Sequence, residues 1–242
     1  VGSLWFGASR ALCEDLVRSA SDPRIVDYFR RLHIPDELLF ATLAGNTGRR
    51  IAPAYHLINT FNERGSPRTF RSSDLPKLLD CDAWFARKFP ANPEAPVRTG
   101  LIEARHAAQR AVRSLPAAPV PQWLPKVVFA TCARPDELPA VVQLAERLEG
   151  RRLVVHVLGG DPDAPRPRAA NIDYAPPPLT GGFRPTGLNA GVLQLLRYCV
   201  ECVDFDHLQL LPADARPLHP IEDFERFVGA SFVEIHARIT GL

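Results

Sequence analysis

Several residues in this sequence could do chemistry by type and spacing. Pro35-Asp36-Glu37 puts two carboxylates where a helical pattern begins. Orphan amides at a helix start can hold an acid in place, although acids also occur there simply as decoration of the positive dipole end. Arg87-Lys88, with Arg68 and Arg71 upstream, offers cations suited to phosphate: a rigid planar fork from arginine and a point charge from lysine. The plainer reading of Arg87-Lys88 is a solvated last helical turn that favours the dipole. Asp161-Pro162-Asp163 is an Asp-x-Asp after a predicted strand. Such a pair can hold a divalent cation, yet Pro162 and Pro165 make it read as a turn. Cys199-x-x-Cys202 lies within a helical pattern and has no second pair, so two core cysteines are expected and zinc is not. His33, His56, His156, His207, His219 and His236 show no ligand spacing. Gly159-Gly160 and Gly181-Gly182 lack the strand, glycine loop and helix order of a dinucleotide site.

These residues must be positioned by regular elements, and the pattern changes along the chain. Ser3 to Phe6 reads as a short strand, and Ser9 caps a helix through Val17 with Leu12 and Leu16 on one face. Asp22-Pro23 starts a second helix, because proline is tolerated in the first turn. Pro35 opens a third, with Leu38, Leu39 and Leu43 as its buried stripe. Gly45 to Gly65 reads as loops around one strand at His56-Leu57-Ile58, and Ser73-Asp74 caps a short helix. A helix over about Leu101 to Val112 precedes a proline-rich stretch from Leu115 to Pro125 that reads as a linker. Beyond it, strands at Lys126–Thr131, Leu153–Leu158, His207–Leu211 and Phe232–Ile235 alternate with helices at Leu138–Leu148, Asn189–Cys202 and Ile221–Val228. Asp161 to Pro178 reads as a proline-rich excursion. Such alternation implies a parallel, Rossmann-like sheet covered on both faces.

Composition bounds the reading. The chain has 242 residues, 46% hydrophobic and 23% charged, enough for one large domain or two modest ones. A net charge of +2 gives no global field for nucleic acid. No apolar run is long enough to span a bilayer and no signal peptide opens the sequence. Five cysteines form no disulfide framework, so a reducing, cytoplasmic setting is expected, compatible with peripheral membrane association. The Ala/Arg/Pro-rich composition is associated with GC-rich bacterial genomes. An opening Val and the absence of Met read as a processed or excised piece of a longer chain.

Four ordered blocks carry a resemblance over about ninety residues: Gly2-Ser3-Leu4-Trp5-Phe6, Ser9-Arg10, Pro35 through Leu43, and Phe85-Ala86-Arg87-Lys88-Phe89. Together they resemble the C-terminal half of the core-2/I-branching β-1,6-N-acetylglucosaminyltransferase family, which includes peptide O-xylosyltransferases, in a bacterial-type member. The resemblance implies a GT-A-like α/β fold and an inverting glycosyltransferase that works without a metal or other cofactor. It would take N-acetylglucosamine or xylose from a UDP-sugar to a hydroxyl on a glycan acceptor. The family's base falls on Glu37, and an inverting transfer needs one carboxylate to take the acceptor proton. The family's diphosphate-binding cations fall on Lys88, with Arg87 adjacent, and on Arg68 or less closely Arg71. Such cations offset developing phosphate charge.

The second half resembles the same family's N-terminal half. Val154-Val155-His156-Val157 is similar to its strand ending in His-x-Asp, Gly181-Gly182-Phe183 to its glycine–aromatic loop, and Phe205 through Leu218 to its strand and Leu-Ser-Gly-x-Asp-x-Pro turn. Here Pro212-Ala213 replaces Ser-Gly, Arg216 replaces an aromatic, and Gly159 stands at the strand-end Asp. The halves therefore run in reverse order. The expected organisation is residues 1–96 as the acceptor-side catalytic part, 97–124 as helix and linker, and 125–242 as a Rossmann-like, degenerate transferase-like half. A tandem arrangement, an incomplete domain and a permuted one all remain open. The competing functional reading is a non-catalytic, transferase-like binding module.

Overall fold

A computed structural model describes residues 4–32, 35–52, 56–63, 65–113, 124–159, 161, 163–176, 188–231 and 235–236. In chain order its elements begin β1 (Gly7–Ser9), α1 (Arg10–Ser19), α2 (Pro23–Arg30), α3 (Pro35–Gly45), β2 (Ile51–Ala52), β3 (His56–Ile58), α4 (Leu75–Leu79), β4 (Phe85–Arg87) and α5 (Pro96–Arg113). They continue with β5 (Val127–Ala133), α6 (Leu138–Arg147), β6 (Leu153–Val157), β7 (Ile172–Tyr174), α7 (Leu188–Cys202), β8 (His207–Leu210), β9 (Arg216–Pro217), α8 (Ile221–Ser231) and β10 (Ile235–His236). The chain is α/β, and its larger sheet is rich in parallel pairs. No helix among the described residues is long and apolar enough to cross a membrane.

Two compact units form, each from separate stretches of chain. One comprises residues 1–54, 125–213 and 232–242, the other residues 55–124 and 214–231. The units change at 124/125, whereas the division expected at 96/97 falls inside the second unit, and the two units interleave along the chain. The physical reason is strand pairing: β1, from the first sixty residues, forms an antiparallel ladder with β8, some two hundred residues later.

The first unit holds a seven-stranded sheet in the order β2-β10-β1-β8-β5-β6-β7. β8, β5, β6 and β7 run parallel, while β1 is antiparallel to both β8 and β10. β5 is an apolar run buried on both faces, as a central parallel strand must be. One face carries Val128, Ala130, Cys132, Val154, Leu208 and Leu210, packed with Leu12 and Leu16 of α1, Leu39 and Phe40 of α3, and Val192, Leu195 and Leu196 of α7. Two glycines allow close approach. A Cβ on Gly7 would lie 2.5 Å from Gln209 Oε1 and 2.6 Å from His207 Nε2. On Gly191 of α7 it would meet Leu158 Cδ2 at 2.2 Å.

The second unit is built on the small sheet β3-β4-β9. Phe70, Leu78, Ala86, Phe89, Val97, Leu101 and Leu218 form its core. A second aromatic group, Trp84 with Phe224 and Phe227, packs with centroids 5.5 and 5.3 Å apart.

Most predicted elements form near their expected bounds. Ser9 caps α1, accepting from the Leu12 amide at 3.3 Å, and Asp22 caps α2 through the Arg24 amide at 2.9 Å. The expected strand at Ser3–Phe6 instead pairs over Gly7–Ser9, although the Phe6 carbonyl already accepts from the Leu210 amide. The segment around Arg87-Lys88 is a strand and not a helical turn, because Phe85 and Ala86 are buried between β3 and β9. β7 forms inside the stretch expected to be an irregular excursion. The expected linker at 115–123, Gly181-Gly182-Phe183, and most of the strand at Phe232–Ile235 lie outside the described residues.

Candidate functional site

In the first unit, Glu37 is the third residue of α3. The helix is set by Leu39, Phe40, Leu43 and Ala44, all buried, with the Phe40 ring 5.6 Å from that of Phe6. This face points four successive-turn residues into the core and leaves Glu37 half-buried at the first turn. Among the described residues, none forms a hydrogen bond or ion pair with its carboxylate. The Asp36 side chain, the expected capping group, lies outside the described residues.

The elements around α3 are fixed by charge as well as by packing. The Arg10 guanidinium donates to the carbonyls of Val200 (2.6 Å) and Val203 (2.9 Å), and stands 5.0 Å over the Phe205 ring. It thereby satisfies orphan carbonyls at the end of α7. Arg49, beyond α3, makes a two-pronged contact with Asp15 of α1 at 2.9 and 2.7 Å. The Arg49 hydrogen bond, first among the causes, holds the Asp15 carboxyl below its ordinary range. The Ser9-Arg10 block of the resemblance is thus structural here: one residue caps α1 and the next ties α1 to α7.

At the end of β6, His156 is buried beneath α7, and a Cβ on Gly191 would touch its ring at 3.2 Å. Burial pushes the imidazole below its ordinary value, and the charge of Arg166 adds to this. Arg166 lies 5.2 Å over the ring of Tyr174, on neighbouring β7. Asp161 and Asp163 are exposed, and Asp161 Oδ1 accepts from the Asp163 amide at 2.9 Å, which is the side-chain geometry of a turn. Of the two cysteines expected in the core, Cys199 is buried, with its thiol pushed up to about 12 chiefly by that burial, while Cys202 is exposed.

The second unit carries Arg68, Arg87 and Lys88. Lys88 follows β4 directly and is half-buried. Its carbonyl accepts from the Phe70 amide at 2.8 Å, and Phe89 beside it packs on Phe70 at 5.3 Å. Its ammonium has no ion-pair partner among the described residues. Arg68 is exposed on a tight hairpin where Phe61 bridges Pro67, and its amide donates to the Thr60 carbonyl at 2.9 Å. Arg71 is exposed, with its amide bound to the Asp74 carboxylate at 2.8 Å.

Arg87 is placed differently. Its Nε lies 3.2 Å from Asp214 Oδ1 in a partly buried ion pair that joins β4 to the turn before β9. A carboxylate therefore already neutralises one of the three cations assigned to a diphosphate. Its charge also acts on His56 of β3, whose imidazole is driven down to about 3, mainly by burial.

Asp214 and Arg98 were not singled out by spacing. Asp214 sits in the turn that resembles Leu-Ser-Gly-x-Asp-x-Pro, and its partner lies 127 residues away. Arg98 could have been found: it neighbours Val97 and precedes Leu101 by three, so it falls on the apolar stripe of α5.

The structure thus places Glu37 in one unit and the three cations in the other. Among the described residues the candidate set comprises one carboxylate and one half-buried ammonium without ion-pair partners, one exposed guanidinium and one guanidinium already paired. Among the described residues no three His, Cys, Asp or Glu side chains gather as a metal site would need. Compared with models of protein families, with curated proteins and with solved structures, the chain matches none.

Proposed function

We propose that the chain carries the catalytic apparatus of an inverting glycosyltransferase with a GT-A-like fold, acting on a UDP-sugar and a hydroxyl acceptor. Glu37 is the base that takes the acceptor proton. Lys88 and Arg68 are the cations that offset the charge on the departing diphosphate, and Arg87, paired with Asp214, lends its charge less directly. The donor sugar, N-acetylglucosamine or xylose, follows from the resemblance alone.

The observation that supports this reading is one ladder, Gly7↔Gln209, Ala8↔Leu208 and Ser9↔His207. It joins the start of the part similar to the family's C-terminal half to the block similar to its N-terminal half, so that these two segments share a sheet. Two separate half-domains would not need that pairing, whereas a permuted single domain does. The competing module reading draws on Gly159, Pro212-Ala213 and the Arg87–Asp214 pair, each a departure from a complete donor pocket.

Calorimetry with UDP separates the two. The transferase reading expects binding that survives EDTA. It expects Lys88→Ala to weaken that binding by about 10–150-fold, the value of one charged hydrogen bond of ~1.5–3 kcal/mol. No measurable affinity for UDP would sink the reading.

A further inference from the structure

The fixed geometry of the backbone around Lys88 points to a residue that acts through it. Resting on the reading of Lys88 as a diphosphate cation, we propose that Arg98 is a positioning residue that holds the Lys88 ammonium for that anion. Arg98 is only 3% exposed, in the first turn of α5. Burying a guanidinium is costly unless its donors are matched. Part of that matching comes from backbone: Nη1 donates to the carbonyls of Pro90 (3.1 Å) and Ala91 (2.9 Å), the second and third residues after Lys88.

The segment is held from three sides. Upstream, β4 pairs with β3 and β9. At Lys88 itself the carbonyl receives the Phe70 amide, and Phe89 is anchored in the core. Downstream, Arg98 grips two consecutive carbonyls, while Asn92 Oδ1 accepts from the Glu94 amide at 2.9 Å and shapes the turn into α5. A methionine would fill the space of Arg98 without a buried charge, so packing alone does not call for arginine. A lysine side chain has four rotatable bonds and loses much entropy when it binds an anion. Fixing the backbone beneath it leaves only those bonds to order, which is the benefit of preorganisation.

The test is a double-mutant cycle read by UDP calorimetry on the whole chain. Arg98→Lys keeps the charge and most of the stem but ends one bond short of Nη1, the single nitrogen that donates to both carbonyls. In the Lys88 background it is expected to weaken UDP by about tenfold, within the range of coupling between residues acting on one site. In the Lys88→Ala background it is expected to change UDP affinity by less than about twofold, because independent sites add and coupled ones do not. A purely structural role would lower the melting temperature in both backgrounds and leave no such dependence on Lys88.

Equal weakening in both backgrounds overturns the proposal, as does no weakening in either. If the parent chain fails to bind UDP, the functional reading falls and takes this inference with it. If instead UDP binds and Lys88→Ala weakens it, while Arg98→Lys is additive, only the inference falls. Should Arg98→Lys fail to fold, Asn92→Ala loosens the same turn from an exposed position and is subject to the same cycle.

Discussion

Replacing Glu37 by glutamine separates chemistry from fold. The carboxylate makes no hydrogen bond or ion pair with a described residue, so its neutral isostere removes no protein contact seen there. What it does lose is the interaction of a negative charge with the first turn of α3, worth ~0.3–1 kcal/mol at most sites. For a chain of this size, 1 kcal/mol moves the melting temperature by about 2–4 °C, so the fall should not exceed roughly 4 °C. The expected kinetic effect is far larger. Removing a general base costs about 10²- to 10⁴-fold in rate, or ~2.7–5.5 kcal/mol in the barrier. Transfer, or donor hydrolysis to water, is followed as UDP release from UDP-N-acetylglucosamine and UDP-xylose, alongside calorimetric melting and UDP affinity. The expected variant melts within those few degrees, binds UDP as the parent does, and turns over at least about a hundredfold more slowly. A variant that keeps its rate, or loses rate only in proportion to a large fall in melting temperature, refutes the assignment of Glu37 as the base.

Two further outcomes concern the fold. Gly7→Ala and Gly45→Ala are the same substitution with opposite expected signs. At Gly7 the new methyl would lie 2.5 Å from Gln209 and 2.6 Å from His207, both buried, and overpacking costs about 1–3 kcal/mol, hence roughly 2–12 °C. At Gly45, where nothing lies within 4 Å, alanine at a helix end should stabilise by about 0.4–1 kcal/mol; equal shifts at the two sites would contradict the close approach of β1 to β8. His56 gives an acid dependence. Its folded value of about 3 lies below the ordinary 6.5, so between those values the unfolded state holds an extra proton. Stability then falls as pH drops through that window, by up to about 1.4 kcal/mol per pH unit. His56→Gln, which cannot titrate, should show a flatter decline there in urea melts, and parallel curves would count against the burial of a neutral imidazole.

How much of this was legible follows from which signals are local. Helix starts are local: Ser9, Asp22 and Pro35 are read from neighbours three residues away, and each helix begins where those residues stand. Apolar strands such as β5 and β6 are legible because both faces are buried and the run is continuous. β4 was not legible, since Phe85-Ala86-Arg87-Lys88 has neither alternation nor length, and its strand state comes from β3 and β9 on either side. β7 hid among prolines for a similar reason; its pairing with β6 is what orders it. The candidate site divides the same way. Lys88 and Glu37 are assigned by block, but the Asp214 that occupies Arg87 lies 127 residues away, and no spacing rule reaches that far.

The reversed order of the two blocks leaves tandem, incomplete and permuted arrangements open. Sheet pairing shows which segments depend on one another. β8 is a strand whose four side chains are all buried; left without β1 it would present unpaired backbone amides and carbonyls, and a bare edge is a template for aggregation. β1 covers that edge and is itself covered by β10. Arg10 immediately after it satisfies the end of α7, which packs on β5 and β6. Each contact crosses from the early block to the late one, and each serves a group that would otherwise be orphaned. A chain can be cut and rejoined at a surface loop without disturbing such contacts, because loops carry few of them. Block order along the chain is therefore a weak guide to which segments share a unit, and the pairing partners of β1 are a strong one.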